Sequence, residues 1–279
     1  MSWQVVARKD FHDAIRSRMF WALAAIFGVF SVAVAGFFGY YTDGMMETLP
    51  MLEDVGLGLV VFVSSPVSLF VTLVGVIICH KSIIGERESG SLRILLSLPH
   101  TRGDVVFGKI VGRSGVLLIP AIASLILGVA VGGVMTGTAP VVPAAVLILG
   151  MILLSVTYVS LIVGISAVAD STGVATAVAV GYFIVFELTW GLIFSLVQQF
   201  VFEGSPEWMY IVLRLPPSNA FSELLNVALA TLTDYPSEMV GANSIDAFYG
   251  TPVTALLILL FWLIVPAAIG YRQFSRSDL

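Results

Sequence analysis

Residues 80–113 read HKSIIGERESGSLRILLSLPHTRGDVVFGKIVGR, a basic segment between two long apolar runs. This segment, which we call the island, holds six of the thirteen Lys and Arg residues of the chain. Basic residues in the short loops between membrane spans determine how those spans are oriented. The side of the membrane on which the island lies therefore decides the topology of the apolar segments around it.

The composition predicts an all-α polytopic membrane protein. Of the 279 residues, 58% are hydrophobic and 11% are charged, whereas soluble domains carry about 25% charged residues. Six apolar runs are long enough to cross a bilayer core of about 30 Å as helices, and they lack the alternating pattern of an outer-membrane barrel. We expect six transmembrane helices, near Met19–Tyr41, Gly56–Cys79, Gly115–Met135, Val141–Val168, Gly173–Val201 and Pro252–Tyr271.

The distribution of charge predicts the orientation of these spans. With six spans, twelve of the thirteen basic residues fall on one face: four precede the first span, six lie in the island and two follow the last span. The other face keeps only Arg214 and carries ten of the eighteen acidic residues. Because Lys and Arg stay on the cytoplasmic side, we expect a multi-pass protein of the cell membrane with the island and both termini in the cytoplasm.

We expect a single transmembrane domain over residues 1–279, with two further segments outside the spans. Residues 1–18 predict an amphipathic helix in the headgroup plane, because apolar side chains recur every four residues at Trp3, Ala7, Phe11 and Ile15. A plain basic flank to the first span is the alternative. Residues 202–251 form a long external loop in which Ala220–Leu232 predicts a short apolar helix. This loop is compatible with a lid and with a simple connector.

The island has the sequence signals of two short helices. Ser91–Leu98 predicts one apolar-rich helix that stops at Pro99, and Thr101 can cap a second helix from Arg102 to Arg113. Charge-rich segments between spans are usually solvated loops. Here the charges are interleaved with leucines, which a solvated loop does not need, and we therefore expect a docking surface.

These residues resemble the permease subunits of the ABC-2 class of ABC transporters. The run Glu86-Arg87-Glu88-Ser89-Gly90-Ser91-Leu92, followed by Leu95, Pro99, Arg102 and Lys109, is similar to the pattern E-x-x-x-G-[ST]-L…L…P…R…K of that class. The six predicted spans, the N-terminal helix and the long last external loop resemble it as well. Within the class, the opening from Trp3 to Arg18 resembles haloarchaeal-type members. It is similar to the permeases of nitrous-oxide-reductase maturation systems, which are linked to copper-site assembly.

The resemblance implies a subunit of an ATP-driven exporter. Two permease subunits, identical or paralogous, form the pathway, and two separate ATPase subunits that carry ATP and Mg²⁺ dock beneath them on the island. The resemblance implies polar contacts to the ATPase from Glu86, Arg87 and Glu88, around the turn at Gly90. It implies apolar contacts from Leu92 and Leu95, with Pro99 between the two helices. Arg102 and Lys109 are implied to anchor the second helix near the lipid headgroups.

The chain itself has no complete nucleotide motif. Gly103–Lys109 matches the first part of a phosphate loop, G-x-x-x-x-G-K, but Ile110 stands where Ser or Thr must bind Mg²⁺. The sequence also lacks an H-E-x-x-H pair and a G-x-S-x-G elbow. We therefore expect no catalytic activity, no bound cofactor or metal and no nucleic-acid partner for this chain.

Glu187 and two serines are the candidate residues of a membrane pathway. Glu187 lies within the fifth predicted span, where an ionisable side chain is costly unless it faces a cavity or a partner. It predicts either a contact with substrate or protons, or a hydrogen bond between helices. Ser64 and Ser65, followed by Pro66, predict a kink or a polar step in the second span. Two alternatives to an ABC permease stay open, a secondary transporter with Glu187 as its proton site and a scaffold for metalloenzyme maturation.

Overall fold

Helices form all of the regular structure in the residues that the structure describes, which are 3–48, 54–97, 101–201, 208–233 and 251–276 of a computed structural model. In chain order they are α1 Trp3–Ile15, α2 Arg18–Thr48, α3 Val55–Cys79, α4 Ile84–Glu88, α5 Ser91–Ser97, α6 Arg102–Thr136, α7 Val141–Val168, α8 Thr172–Tyr182, α9 Trp190–Val201, α10 Met209–Leu213, α11 Pro217–Thr233 and α12 Pro252–Arg276. A π-helical turn, Phe183–Leu188, joins α8 to α9.

The helices confirm the prediction of an all-α polytopic membrane protein. Five of them, α2, α3, α6, α7 and α12, are long and apolar enough to cross a membrane. The sixth predicted span is a bent pair: α8 with the π-helical turn, and α9 after it, meet at 58°. The helices α3, α6 and α7 pack on one another at the centre, while α2 covers α6 and α12 covers α7.

The bend corrects the prediction of an unbroken span over Gly173–Val201. The backbone N–H of Thr189 donates to the carbonyl of Ile184 at 2.9 Å, and the Thr189 hydroxyl donates to the carbonyls of Ile184 and Val185. These carbonyls would otherwise accept the regular backbone hydrogen bonds of an α-helix. A π-turn followed by such a hydroxyl is a recognised cause of a sharp kink. In contrast, Pro66 lies inside α3 without ending it.

The island is built from α4, α5 and the first turns of α6. Thr101 caps α6 as predicted, because its side chain accepts from the backbone N–H of Asp104 and the Asp104 carboxylate accepts in return from the Thr101 backbone. The helix then runs without interruption to Thr136. At about 1.5 Å per residue its 35 residues measure about 52 Å, which exceeds a bilayer core of about 30 Å. The second island helix and the third span are thus one continuous helix.

Helix α1 packs directly on the island end of α6. Gly108 of α6 allows this approach, since a Cβ there would lie 2.7 Å from the Val6 Cβ and 2.8 Å from the Trp3 carbonyl. Val6, Ala7 and Asp10 are the buried side chains of α1. The predicted apolar stripe therefore has a protein partner along α6, and its place in the headgroup plane stays a prediction.

At the end of the bundle opposite the island, α10 and α11 form a re-entrant hairpin, residues 208–233. The indole N–H of Trp262 donates to the carbonyl of Leu215 at 2.8 Å. Trp262 lies ten residues into α12, or about 15 Å along it, so the hairpin turn reaches about halfway through the bundle. Helix α11 includes the predicted helix Ala220–Leu232. The rest of the predicted loop, 202–207 and 234–250, lies outside the described residues.

Candidate functional site

The outward surface of the island is formed by one side of α5. Ile94 has 72% of its surface exposed and lies between the exposed side chains of Arg93 and Ser97. Leu92 is fully buried in the central core, and Leu95 packs against that core half-buried. Leu92 therefore faces the core of this chain instead of the outward surface, and its predicted contact with an ATPase stays a prediction.

The turn between α4 and α5 sets this orientation. Gly90 has φ +75°, a left-handed conformation that glycine adopts without a steric penalty. Helix α5 begins directly after it, so its face with Leu92, Leu95 and Leu96 turns inward. That inward spacing of three and four residues was visible in the sequence and could have identified Ile94 as the outward side chain.

Four charged side chains meet on the inner side of the island. We call Asp10, Glu86, Lys109 and Arg113 the charge cluster. The Lys109 ammonium lies 2.8 Å from Glu86 Oε1 and 3.4 Å from Asp10 Oδ1. The Arg113 guanidinium approaches Asp10 with Nε at 2.6 Å and Nη2 at 3.1 Å, and its Nη1 donates to the Ile78 carbonyl at 3.0 Å. Helices α1, α4 and α6 and the end of α3 are joined at this point.

The charge cluster gives two of the predicted site residues, Glu86 and Lys109, partners within this chain. Lys109 is only 1% exposed, so this chain's own carboxylates hold its ammonium group in place of lipid headgroups. Glu86 is three-quarters buried as a side chain and points toward Lys109. Asp10, which sequence reasoning missed, belongs to the buried stripe of α1. A carboxylate within an otherwise apolar helical stripe was the available signal for a buried ionic partner.

Glu88 points to a different neighbour. Its Oε1 accepts from the backbone N–H of Thr172 at 2.7 Å, and its Oε2 accepts from the Thr172 hydroxyl. Thr172 is the first residue of α8, and Ser171 before it caps that helix. Helix α4 is also fixed at its start, because the hydroxyl of Ser166 in α7 accepts from the backbone N–H groups of Ile83 and Ile84. The five residues of α4 therefore link the α1–α6 pair to the α7–α8 pair.

We expect the contribution of Glu88 to stability to depend on pH. The two hydrogen bonds from Thr172, that of its hydroxyl first, hold the pKa of Glu88 below its usual value. A carboxyl whose pKa is lowered by folding stabilises the protein above its unfolded pKa, which is about 4.3, and this contribution is lost as the pH falls through the folded pKa. The difference in melting temperature between wild type and Glu88→Gln should thus be largest near neutral pH and vanish in acid. Thr172→Val, as a control, should reduce that difference, and a difference independent of pH would contradict the assignment.

Arg102 joins the start of α6 to the end of α12. Its guanidinium donates to the Phe274 carbonyl and lies 5.4 Å from the centre of the Phe274 ring. A cation is favourable at the carbonyl end of a helix. The Arg102 side chain, which we had expected at the lipid headgroups, therefore contacts α12. Arg87 is half-buried, and Pro99 lies outside the described residues.

The phosphate-loop motif lies inside a helix. Gly103–Lys109 belongs to α6, so its backbone N–H groups beyond the first turn take part in helical hydrogen bonds, and Lys109 is paired with two carboxylates. A phosphate loop needs those N–H groups and that ammonium group to face the phosphates. Among the described residues, no group of three or more His, Cys, Asp and Glu side chains could hold a metal ion.

Glu187 lies in the π-helical turn of the bent span. The hydroxyl of Tyr158 in α7, which is fully buried, donates to Glu187 Oε1, and the side chain of Ser218 at the start of α11 interacts with the same carboxylate. This geometry corresponds to the hydrogen bond between helices that was one of the two alternatives. It joins span four, span five and the re-entrant hairpin, and a role in transport stays a prediction.

Ser64 and Ser65 do not join Glu187. The Ser64 hydroxyl is buried and donates to the Val61 carbonyl of its own helix at 2.7 Å, while Ser65 is exposed on another side of α3. A serine that bonds back to its own helix satisfies its hydroxyl locally. The structure therefore does not bring the three predicted pathway residues together.

The turn of the re-entrant hairpin is held by polar contacts that the sequence did not reveal. Arg214 and Glu223 form an ion pair at 2.9 Å, with side chains 7% and 11% exposed. The Trp190 indole donates to the Val212 carbonyl at 3.0 Å, and the Asn219 amide donates to the Leu213 carbonyl at 2.7 Å. These bonds satisfy the end of α10 inside the bundle, where unpaired carbonyls are costly.

Comparison with known proteins gives a family and two relatives. The family model for the ABC-2 family transporter protein matches residues 4–279. The chain is 27% identical over 284 residues to the probable ABC transporter permease protein NosY of Stutzerimonas stutzeri, covering 97% of both chains. It is also 27% identical over 287 residues to the protein of the same name from Pseudomonas aeruginosa, covering 98% of both chains.

Proposed function

The chain belongs to the ABC-2 family of transporter permeases, and from that premise we propose that it forms the membrane pathway of an ATP-driven exporter. A separate ATPase subunit binds and hydrolyses ATP beneath the island. A second permease subunit, either a copy of this chain or a paralogue, completes the pathway. The similarity to two NosY permeases supports a transport role for this chain. The concentration of basic residues on one face supports a cytoplasmic position for the island.

The observation that carries this proposal is the contrast between the two sides of the island. Its inner side is fixed to α6 through Glu86, to α8 through Glu88 and to α7 through Ser166. Its outer side presents Ile94, a large apolar side chain that is 72% exposed. Exposed apolar side chains on the spans can be covered by lipid, whereas Ile94 lies on the island beside the charged Arg93. A partner protein that covers Ile94 would bury this apolar surface. We therefore assign the ATPase contact to Arg93 and Ile94, with Leu92 and Glu86 as the residues that hold the island.

This arrangement gives the ATPase two routes into the membrane. Motion of the island passes to α6 through Lys109 and to α8 through Thr172. Helix α6 is one rod from the island to the far end of the bundle, and α8 leads to the bend at Thr189. Packed helices shift as bodies, so closure of an ATPase pair moves the third and fifth spans together.

The test is binding of the candidate ATPase encoded nearest to this chain's gene. Ile94→Asp places a charge at the centre of the docking surface, and we expect it to lower affinity for the ATPase by at least about tenfold, as for a central interface residue. Leu232→Asp is the matched control, because Leu232 is 61% exposed at the opposite end of the bundle. Binding and ATP turnover that are equal in wild type and Ile94→Asp would refute docking through α5.

The second candidate function is a secondary transporter in which Glu187 carries the proton. Its support is the position of Glu187 between Tyr158 and the re-entrant hairpin. The two functions predict different energy sources. Transport by purified chain in vesicles, driven by a proton gradient without any ATPase, would favour this alternative over the ABC mechanism.

A further inference from the structure

Asp10 occupies the centre of the charge cluster. Lys109 and Arg113 stand one helical turn apart on α6, and both approach the Asp10 carboxylate, with Arg113 Nε and Nη2 at its two oxygens. Lys109 also approaches Glu86 of α4. The charge cluster therefore connects α1 to α6 and α6 to the island, and Asp10 is its member on α1.

Because it is buried, the charge cluster tolerates little displacement of its members. Asp10 and Lys109 are both more than nine-tenths buried, and the cost of removing ions from water is offset only when each has a well-placed partner. Well-packed apolar side chains stabilise such a position at least as well. The property that ions add is a defined relative position, because charge-assisted hydrogen bonds require a short distance and a particular direction, whereas apolar burial is non-directional.

The glycine contacts of α6 supply a second, independent reason to treat α1 as part of this body. A Cβ on Gly112 would lie 2.8 Å from the Ala7 carbonyl oxygen. The two helices thus touch at their backbones along the same face on which Asp10 lies. Such close packing leaves little freedom for α1 to slide on α6 once the ions are paired.

We propose that Asp10 is a positioning residue of the coupling machinery. Its carboxylate holds Lys109 where Lys109 can hold Glu86, so that α1, the first turns of α6 and the island move as one body when the ATPase closes. The proposal rests on the proposed function for its role in transport, because it is the ATPase that drives the movement. The rigidity that it requires is a property of this chain alone.

The experiment measures how rigidly α1 is attached to the island, and whether transport depends on that attachment. Spin labels are placed at Arg8 on α1 and Ser89 on the island, which are both exposed, with the buried Cys79 replaced by Ala. For the otherwise unchanged chain we expect a narrow distribution of the distance between the two labels. This distribution should keep its width when an ATP analogue closes the ATPase complex. Asp10→Asn should broaden it and lower the transport obtained per ATP by about tenfold, a usual size for one coupling in a charge network, while the ATPase still co-purifies.

Three further variants keep the proposal falsifiable. Asp13→Asn removes an exposed carboxylate one turn along α1 and should behave as wild type. Asp10→Glu should restore the narrow distribution. Glu86→Gln, which leaves the Asp10–Arg113 pair intact, should broaden it even if Asp10→Asn does not fold.

The outcomes separate the two proposals. A narrow distribution in both Asp10→Asn and Glu86→Gln would overturn the positioning role, and so would equal broadening in Asp13→Asn. If the unmodified chain does not retain any ATPase, the proposed function fails. The width of the distance distribution in the permease alone still decides whether Asp10 positions the island.

Discussion

Replacing Lys109 by Met is expected to lower the free energy of unfolding by about 3–5 kcal/mol, the usual cost of removing one partner from a buried ion pair. The ammonium group of Lys109 lies within 3.4 Å of two carboxylates on two other helices. Without it, Glu86 stays three-quarters buried without its ion-pair partner, and Asp10 keeps only Arg113 among the members of the charge cluster. The effect should therefore spread from α6 to both α1 and α4.

The measurement is unfolding of the purified chain in detergent, followed by tryptophan fluorescence. Lys81→Met is the matched control, because Lys81 belongs to the same segment and is exposed. Removing a surface charge changes stability by about 0–1 kcal/mol. Equal loss of stability in the two variants would show that the charge cluster has no special energetic role.

Much of this fold was predictable because it follows from local chemistry. The apolar runs predicted five spans that are single helices and a sixth that is a bent pair, and Thr101 predicted the start of α6. Such signals act over a few residues or over the length of one helix. The bend at Thr189 was missed, because a π-helical turn leaves the composition of a span unchanged.

The partners of the charged residues were not predictable in the same way. The positive-inside pattern treats Lys109 and Arg102 as equal charges, yet one is buried against carboxylates and the other lies on the carbonyl end of α12. Lys109 meets Asp10, which is 99 positions away, as well as the nearer Glu86, and Arg102 meets Phe274, which is 172 positions away. A single sequence does not identify such distant partners, whereas the spacing of three and four residues between the leucines of α5 did contain the orientation of Ile94.

The partner of a charged residue was also not predictable in the re-entrant hairpin, at the other end of the bundle. Arg214 was predicted on the outer face because it follows the fifth span, although it is basic. In the structure it lies near the hairpin turn, and its guanidinium is paired with Glu223 of α11. A charge that deep in a bundle is tolerated only with a partner. The ion pair therefore fixes the register between α10 and α11.

We expect Arg214→Met to destabilise the hairpin by about 3–5 kcal/mol, because it leaves the Glu223 carboxylate buried without its cation. The double variant Arg214→Met with Glu223→Met removes both charges and should recover most of that loss, since well-packed apolar pairs replace buried ion pairs at little cost. Hydrogen exchange of the amides of Pro217–Thr233 gives the local measurement, and the melting temperature gives the global one. Faster exchange in the single variant, reversed in the double variant, would show that the Arg214–Glu223 ion pair stabilises the hairpin. A double variant that exchanges as fast as the single one would assign the effect to the packing of the Arg214 stem instead.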